Sequence, residues 1–121
     1  MKKQNLVMLT GVLKDCASRT IRANGLGVRR VLVCRLQTDK SYYGGIHLVE
    51  FPENLIPELM AFRTAAGSVP LEITVNGWLR SFPDRNMCSV VVDVVMYHVD
   101  GSTREKARSA LRRRKTFLDR R

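Results

Sequence analysis

The sequence predicts an all-β domain of five strands, with one helix between the third and fourth strands. Five runs have strand character, and in most of them apolar and polar residues alternate with period two. One other run, between the third and fourth of these, has its apolar residues at helical spacing. The chain has 121 residues, 45% of them hydrophobic, which suits a single domain with one modest core.

The first three strands are predicted over residues 5–13, 28–38 and 42–51. Gly11 indicates a bulge or bend in the first strand. In the second strand, the apolar Leu32 and Leu36 fall on one face. Glu50 falls in phase with apolar residues of the third strand, so we predict a bulge there as well.

The helix is predicted in the run that follows the third strand. Apolar residues recur at helical spacing from Leu55 to Phe62, Pro57 is compatible with a first turn, and Gly67 is a typical stop. The last two strands are predicted over residues 70–82 and 87–99. Three strands, one helix and two strands is the element order of the five-stranded oligonucleotide-binding (OB) barrel.

The charge of the chain is strongly positive and unevenly distributed. The formal net charge is +10 and the pI is near 10.3, which indicates a polyanionic partner, either nucleic acid or an acidic membrane surface. Residues 101–121 hold nine Lys or Arg and two acidic residues, about +7 of the total. We therefore expect a barrel domain at residues 1–100 and a basic tail at residues 101–121, flexible because it has few apolar residues.

The cysteines and the apolar run near the N-terminus indicate the cellular compartment to expect. Cys16, Cys34 and Cys88 lie far apart without metal-ligand spacing, so we interpret them as small apolar residues in a reducing compartment. The apolar run after the first lysines is interrupted by Thr10 and Lys14, which argues against a secretory signal. No stretch approaches transmembrane length. We expect a cytoplasmic protein with no membrane partner and no cofactor or metal.

The fourth strand carries the chain's one Trp on a face that is predicted to be exposed to solvent. Read at period two, Trp78, Arg80 and Phe82 share the face of Glu72 and Thr74. Single-stranded bases stack on aromatic side chains for roughly 1–3 kcal/mol each, and arginine adds phosphate and cation–π contacts. This row is therefore a candidate binding site; the alternative is that Trp78 covers a subunit interface or packs beneath the tail.

Four motifs together resemble the bacterial-type single-stranded DNA-binding proteins. NLVMLTGVL (residues 5–13) resembles the opening strand of that family, and IHLVEF (residues 46–51) is similar to its third strand. VNGWLRS (residues 75–81) resembles its fourth strand, and SVVVDVV (residues 89–95) its last. Each motif alone is weak, but all four occur in the family's order and spacing.

The resemblance implies roles for particular residues. Phe51 resembles the third-strand Phe that stacks on a base, although an aromatic residue there can equally belong to the core. The aromatic residue that the family has after its second strand, here near residues 37–40, is absent, and Tyr42 and Tyr43 are candidates to replace it. Basic residues along the same surfaces are candidates for phosphate contacts. The full predicted binding set is Arg29, Arg35, Lys40, Tyr42, Tyr43, Phe51, Trp78, Arg80, Phe82, Arg112, Arg113 and Arg114.

The resemblance also implies a function. We expect sequence-tolerant binding and protection of single-stranded DNA in replication, recombination or repair, by a homo-oligomer, a dimer or a tetramer, whose contact includes the first strand. Replication or primosome proteins are candidate partners. The family's acidic C-terminal tip is replaced here by the basic tail, which puts its usual recruiting role in doubt.

Two alternatives to this function remain open, and an enzyme is not expected. One alternative is a primosome accessory protein resembling PriB, and the other is an RNA-binding module with the same barrel. The sequence has no Ser/His/Asp or Cys/His arrangement with a supporting motif and no phosphate-binding glycine loop, so we expect no catalytic activity.

Overall fold

The computed structural model describes residues 4–23, 27–39, 45–82 and 87–119. The elements in chain order are β1 (Val7–Ala23), β2 (Gly27–Gln37), β3 (Ile46–Pro52), a 3-10 turn (Glu53–Leu55), α1 (Ile56–Ala66), β4 (Glu72–Phe82), β5 (Met87–His98) and α2 (Gly101–Asp119). The mostly-β class and the five strands are confirmed. Neither helix, over the described residues, is long and apolar enough to cross a membrane.

The five strands form a closed barrel in the order β1-β2-β3-β5-β4. The long β1 makes this possible, because its first half pairs with β4 and its second half with β2, both antiparallel. Strands β3 and β5 meet in a short parallel pairing. Beyond the barrel, β1 and β2 continue as a hairpin in which Ile21 lies opposite Arg29.

Alternate residues of each strand point into the barrel and form the core. The fully buried side chains include Cys34 and Leu36 of β2, Val49 and Phe51 of β3, Ile73 and Val75 of β4, and Val92 of β5. Because successive side chains of a strand point to opposite faces, the residues between them form the outer surface. The inward face predicted from the alternation is thus correct for β2 and β4.

Helix α1 packs on this core through Leu59 and Phe62, which are both buried. Pro57 lies in its first turn, where a missing N–H costs no helical hydrogen bond. Gly67 ends the helix with φ 61°, a left-handed conformation that glycine adopts without steric cost. The Phe62 ring stacks on Tyr97 at 4.0 Å between centroids. Burial, with a smaller effect from Glu58, raises the pKa of Tyr97 above its usual value.

Helix α2 differs from the flexible tail that the sequence predicted. It is helical over Gly101–Asp119, and its first half packs on α1, where Ala107 is fully buried. Arg104 donates to the backbone oxygen of Tyr97 at 2.7 Å, and its guanidinium lies over the Phe62 ring. Helix α2 packs with few apolar residues because the small side chain of Ala107 lets the two helices approach closely. Arg104 stabilises the contact through its hydrogen bond to Tyr97 and its position over the Phe62 ring.

Asp100 caps the start of α2. Its carboxylate accepts a hydrogen bond from the Thr103 N–H at 2.7 Å, and its backbone oxygen accepts one from the Arg104 N–H. The side-chain contact satisfies one of the N–H groups that the first helical turn leaves without a partner. The hydrogen bond from Thr103 holds the pKa of Asp100 below its usual value.

Two cysteines are also placed differently from the prediction. Cys16 and Cys34 lie directly opposite each other in the β1–β2 ladder, with 4.0 Å between their Cα atoms, and form a disulfide. Cys88 is free and exposed rather than buried. Spacing along the chain gave no sign of the pair, because only the register between the two strands brings residues 16 and 34 together.

Candidate nucleic-acid interface

Trp78 and Arg80 lie on the outer face of β4, as the alternation predicted. Trp78 is 45% exposed and pairs across the sheet with Val91 of β5, and Arg80 pairs with Ser89. Phe82 ends β4 and pairs with Met87 through the backbone; its side chain lies outside the described part of the structure. The described part of the row therefore offers one large aromatic surface next to a guanidinium.

A groove runs beside this row, between the β1–β2 hairpin and the outer faces of β3 and β5. We call it the hairpin groove; its volume is about 530 Å³. The residues that line it are Ile21, Arg29, Arg30, Val31, Glu50, Pro52, Glu53, Asn54, Arg80 and Val91. Three arginines against two glutamates leave its wall net positive, which suits a ligand with a phosphate backbone.

One ion pair lies in the floor of the hairpin groove. Arg80 donates from Nη1 to Oε2 of Glu50 at 3.3 Å. Glu50 is only 6% exposed, because its neighbours in the sheet, Val33 on one side and Val91 on the other, flank its side chain. The predicted bulge in β3 is absent: β3 pairs in regular register with β2 from Ile46 to Pro52, so Glu50 simply points outward.

A second groove of about 380 Å³ adjoins the first on the other side of β4. We call it the tryptophan groove; it is lined by Leu6, Val7, Met8, Asn76, Gly77, Trp78 and Asp93. Trp78 in this groove lies directly opposite Val91, which lines the hairpin groove. Trp78 thus lines a mainly apolar groove, and its cross-strand neighbour Val91 lines the arginine-lined one.

The prediction that Phe51 stacks on a base is wrong for this structure. Its side chain is fully buried, and it pairs across the sheet with Leu32, another core residue. The reason is its phase: Phe51 follows Val49 by two residues and points with it into the barrel. A nucleobase has no access to its ring.

The other predicted residues are dispersed. Arg29 lines the hairpin groove, whereas Arg35 lies farther along β2 and forms an exposed ion pair with Asp15 at 3.1 Å. Lys40, Tyr42 and Tyr43 lie outside the described residues. On α2, Arg112, Arg113 and Arg114 are exposed. The structure therefore brings Arg29 and Arg80 together in the hairpin groove, with Trp78 two residues before Arg80 on β4, and leaves the remaining described arginines of the predicted set elsewhere.

Sequence reasoning missed two residues of this surface. Arg30 lies in the hairpin groove, and its Nε donates to the Ser18 hydroxyl at 3.0 Å. The alternation gave no signal for it, because Arg30 follows Arg29 in β2 and successive side chains of a strand point to opposite faces. Glu50 was missed because it falls in phase with the apolar Ile46 and Leu48, a pattern that predicted a bulge, whereas this phase is the outer face of β3.

The fold is shared with known proteins, although the sequence is not. No protein-family model matches the sequence, and no curated protein sequence matches it. The N-terminal domain of PriB from Thermoanaerobacter tencongensis, described as dimeric, superposes with a TM-score of 0.55 at 15% identity, over 79% of this chain and 98% of that one. A mitochondrial single-stranded DNA-binding protein of S. cerevisiae superposes with a TM-score of 0.54 at 10% identity, over 83% of this chain and 100% of that one.

Identities this low carry information about the fold rather than about function. Both superpositions span nearly the whole of the other chain and most of this one. The likeness of the strand motifs to single-stranded DNA-binding proteins is thus matched by a likeness in three dimensions. The chain has the OB fold that PriB and the mitochondrial single-stranded DNA-binding protein share.

Proposed function

We propose that this protein binds single-stranded DNA without strong dependence on its sequence. The observation that carries the proposal is the exposed Trp78 two residues before Arg80, which lines an arginine-rich groove, on a fold shared with a protein named for binding single-stranded DNA. A single strand presents both groups that this surface accommodates, a charged backbone and unpaired bases.

The binding mode follows from the chemistry of the two grooves. A base stacks on the exposed indole of Trp78, a contact that every base can make because each has a π-face. Arg29 and Arg30, at the hairpin side of the groove, contact the phosphates. Stacking and phosphate contacts are both nearly indifferent to base identity, which makes the binding tolerant of sequence.

The biological role we propose is protection of single strands during DNA replication, recombination or repair, by a homo-oligomeric protein rather than an enzyme. A primosome accessory role like that of PriB is the second candidate, and the superposition on a dimeric PriB domain favours it. Comparison of matched DNA and RNA strands distinguishes both from an RNA-binding module.

The test uses the chain's single Trp as a reporter. Titration with an oligo-dT strand should quench Trp78 fluorescence, because a stacked base contacts the indole. Trp78→Ala should weaken binding by about 1–3 kcal/mol, the value of one base–aromatic stack. Leu79→Ala is the matched control, since Leu79 is the adjacent residue and is similarly exposed at 42%.

Two results would contradict the proposal. One is tighter binding of duplex than of single strand at the same salt concentration. The other is an oligo-dT affinity equal in Trp78→Ala and Leu79→Ala, accompanied by a change of oligomeric state in the Trp78 variant alone; that would place Trp78 in a protein interface.

A further inference from the structure

The Arg80–Glu50 pair gives the hairpin groove a feature that phosphate binding does not require. Phosphates repel carboxylates, yet the floor of this basic groove holds a carboxylate that is 6% exposed. Within the described part of the chain, its one hydrogen-bond partner is Arg80. A carboxylate has about four lone-pair sites, so Glu50 keeps acceptor capacity next to the groove.

We propose that this pair reads the Watson–Crick edge of one guanine, so that an otherwise sequence-tolerant protein prefers guanine at a single nucleotide. The inference rests on the proposed single-strand binding and specifies one position within it. The rest of the strand is held by stacking and phosphate contacts as described above.

The argument is one of complementary donors and acceptors. The Watson–Crick edge of guanine presents in order an acceptor, O6, and two donors, N1–H and the N2 amino group. The pair presents the matching series: an N–H of Arg80 for O6, and the two oxygens of Glu50 for N1–H and N2–H. A guanidinium has five N–H donors, so Arg80 can serve a base while it remains paired with Glu50.

The other three bases fit this series less well. Adenine places an acceptor, N1, where the carboxylate also accepts, and cytosine places two acceptors there. Thymine offers one donor, N3–H, between two carbonyl oxygens, and one of those faces the carboxylate. Because burial weakens competition from water, such a mismatch at Glu50 costs more than it would at an exposed residue.

The groove has room for a base at this point. Its volume of about 530 Å³ lies within the range of small-molecule sites, about 300–1,000 Å³. Val31, Pro52 and Val91 supply apolar walls on which the faces of a base can pack. Arg29 and Arg30 at the hairpin side can hold the adjoining phosphates.

The experiment measures anisotropy of end-labelled strands of about 12 nucleotides, a length within the usual site size of an OB fold. One strand is all thymidine, and three others carry a single central deoxyguanosine, deoxyinosine or deoxyadenosine. Inosine lacks the N2 amino group and keeps N1–H. The wild-type protein should bind the guanine strand about tenfold more tightly than the all-thymidine strand, the order that a bidentate base contact supplies. Inosine should give an intermediate affinity, and adenine no gain.

Two variants test whether Glu50 is the residue responsible for the guanine preference. Glu50→Gln should lose the guanine preference, so that it binds the guanine strand and the all-thymidine strand with equal affinity. Glu53→Gln is the matched control: it removes the same charge from the same groove at an exposed residue, and should keep the preference. Circular dichroism establishes that both variants are folded. The comparison of the four strands with the wild-type protein does not depend on the folding of any variant.

The possible failures are distinguishable. If the wild-type protein binds all four strands equally well, the guanine site is refuted, single-strand binding stands, and Arg80–Glu50 is only a structural ion pair. If the preference survives in Glu50→Gln, another residue reads the base and the assignment is refuted. If even the all-thymidine strand does not bind, the proposed function itself fails.

Discussion

At the scale of single residues, the position of Trp78 depends on the glycine before it. A Cβ at Gly77 would collide with the backbone carbonyl oxygen of Val91, so the two strands approach more closely there than another residue allows. The register shifts at the same point: Asn76 pairs with Val94 and Gly77 with Val92, which leaves one extra residue in β5. Such a bulge increases the local twist and re-aims side chains, here next to the tryptophan groove.

We predict that Gly77→Ala destabilises the protein. The new methyl group meets backbone rather than a movable side chain, so the expected loss in the free energy of unfolding is about 1–3 kcal/mol, as for overpacked sites. Urea denaturation measures it. Gly101→Ala is the control, because nothing lies within 4 Å of a Cβ at Gly101. An equal effect of the two substitutions would refute the close approach.

At the scale of elements, α2 has two parts with different surroundings. Its first half packs on α1, whereas residues 112–116 are all exposed, and so is Leu118. Arg112 donates to Glu105 at 2.8 Å, and that hydrogen bond lowers the pKa of Glu105. Arg113 and Arg114 are the exposed arginines that follow. We propose that this second half contacts phosphates beyond the barrel.

The corresponding prediction concerns salt dependence. Replacing Arg113 and Arg114 with Gln should make the slope of log K against log salt shallower by about 1.4, since each single-strand phosphate contact contributes about 0.7. Substitution is preferable to deletion of α2, because its first half is part of the packed structure. The control replaces Lys106 and Arg108, two exposed residues of the first half, with Gln. If both pairs of substitutions change the salt slope equally, the effect comes from the net charge of the protein rather than from phosphate contacts of Arg113 and Arg114.

At the scale of the whole molecule, one outer face of the barrel is apolar and uncovered. We call it the β1–β4–β5 face, formed by Val94 and Met96, which are 53% and 61% exposed; it borders the tryptophan groove, to which Leu6 and Met8 belong. Thr10, Thr74 and His98 form a hydrogen-bonded chain across the same strands, at 2.7 and 2.6 Å. Exposed apolar surface rimmed by polar groups is typical of an interface between proteins. We propose that a second copy of this chain covers it.

Light scattering tests this proposal. The wild-type protein should be a dimer or a tetramer, and Met96→Glu should shift it toward monomer, because the new charge would be buried without a partner in the interface. Met60→Glu should leave the oligomer unchanged, since Met60 is also exposed but lies on α1. A monomeric wild-type protein at micromolar concentration would contradict the assembly.

The sequence by itself determined the presence of the five strands and α1 and, in β2 and β4, the direction in which their residues point. Side-chain direction in a strand has a period of two, so the alternation alone was enough to place Trp78 and Arg80 on the outer face of β4. Pro57 and Gly67 likewise fixed the ends of α1, since the backbone preferences of proline and glycine are local. These features can be predicted from the sequence because they depend on residues that are close together in the chain.

Tertiary structure alone decided which surfaces are covered. Closure of the barrel buried Phe51, and strand pairing placed Glu50 beside Arg80 and Cys16 beside Cys34. Docking on α1 turned a segment of low apolar content into an ordered helix around Ala107. Each of these outcomes depends on the distance between residues remote in the chain, and periodicity carries no information about that distance. The candidate site is therefore predictable only in part: the outward direction of Trp78 and Arg80 follows from the sequence, and the fold supplies the groove beside them.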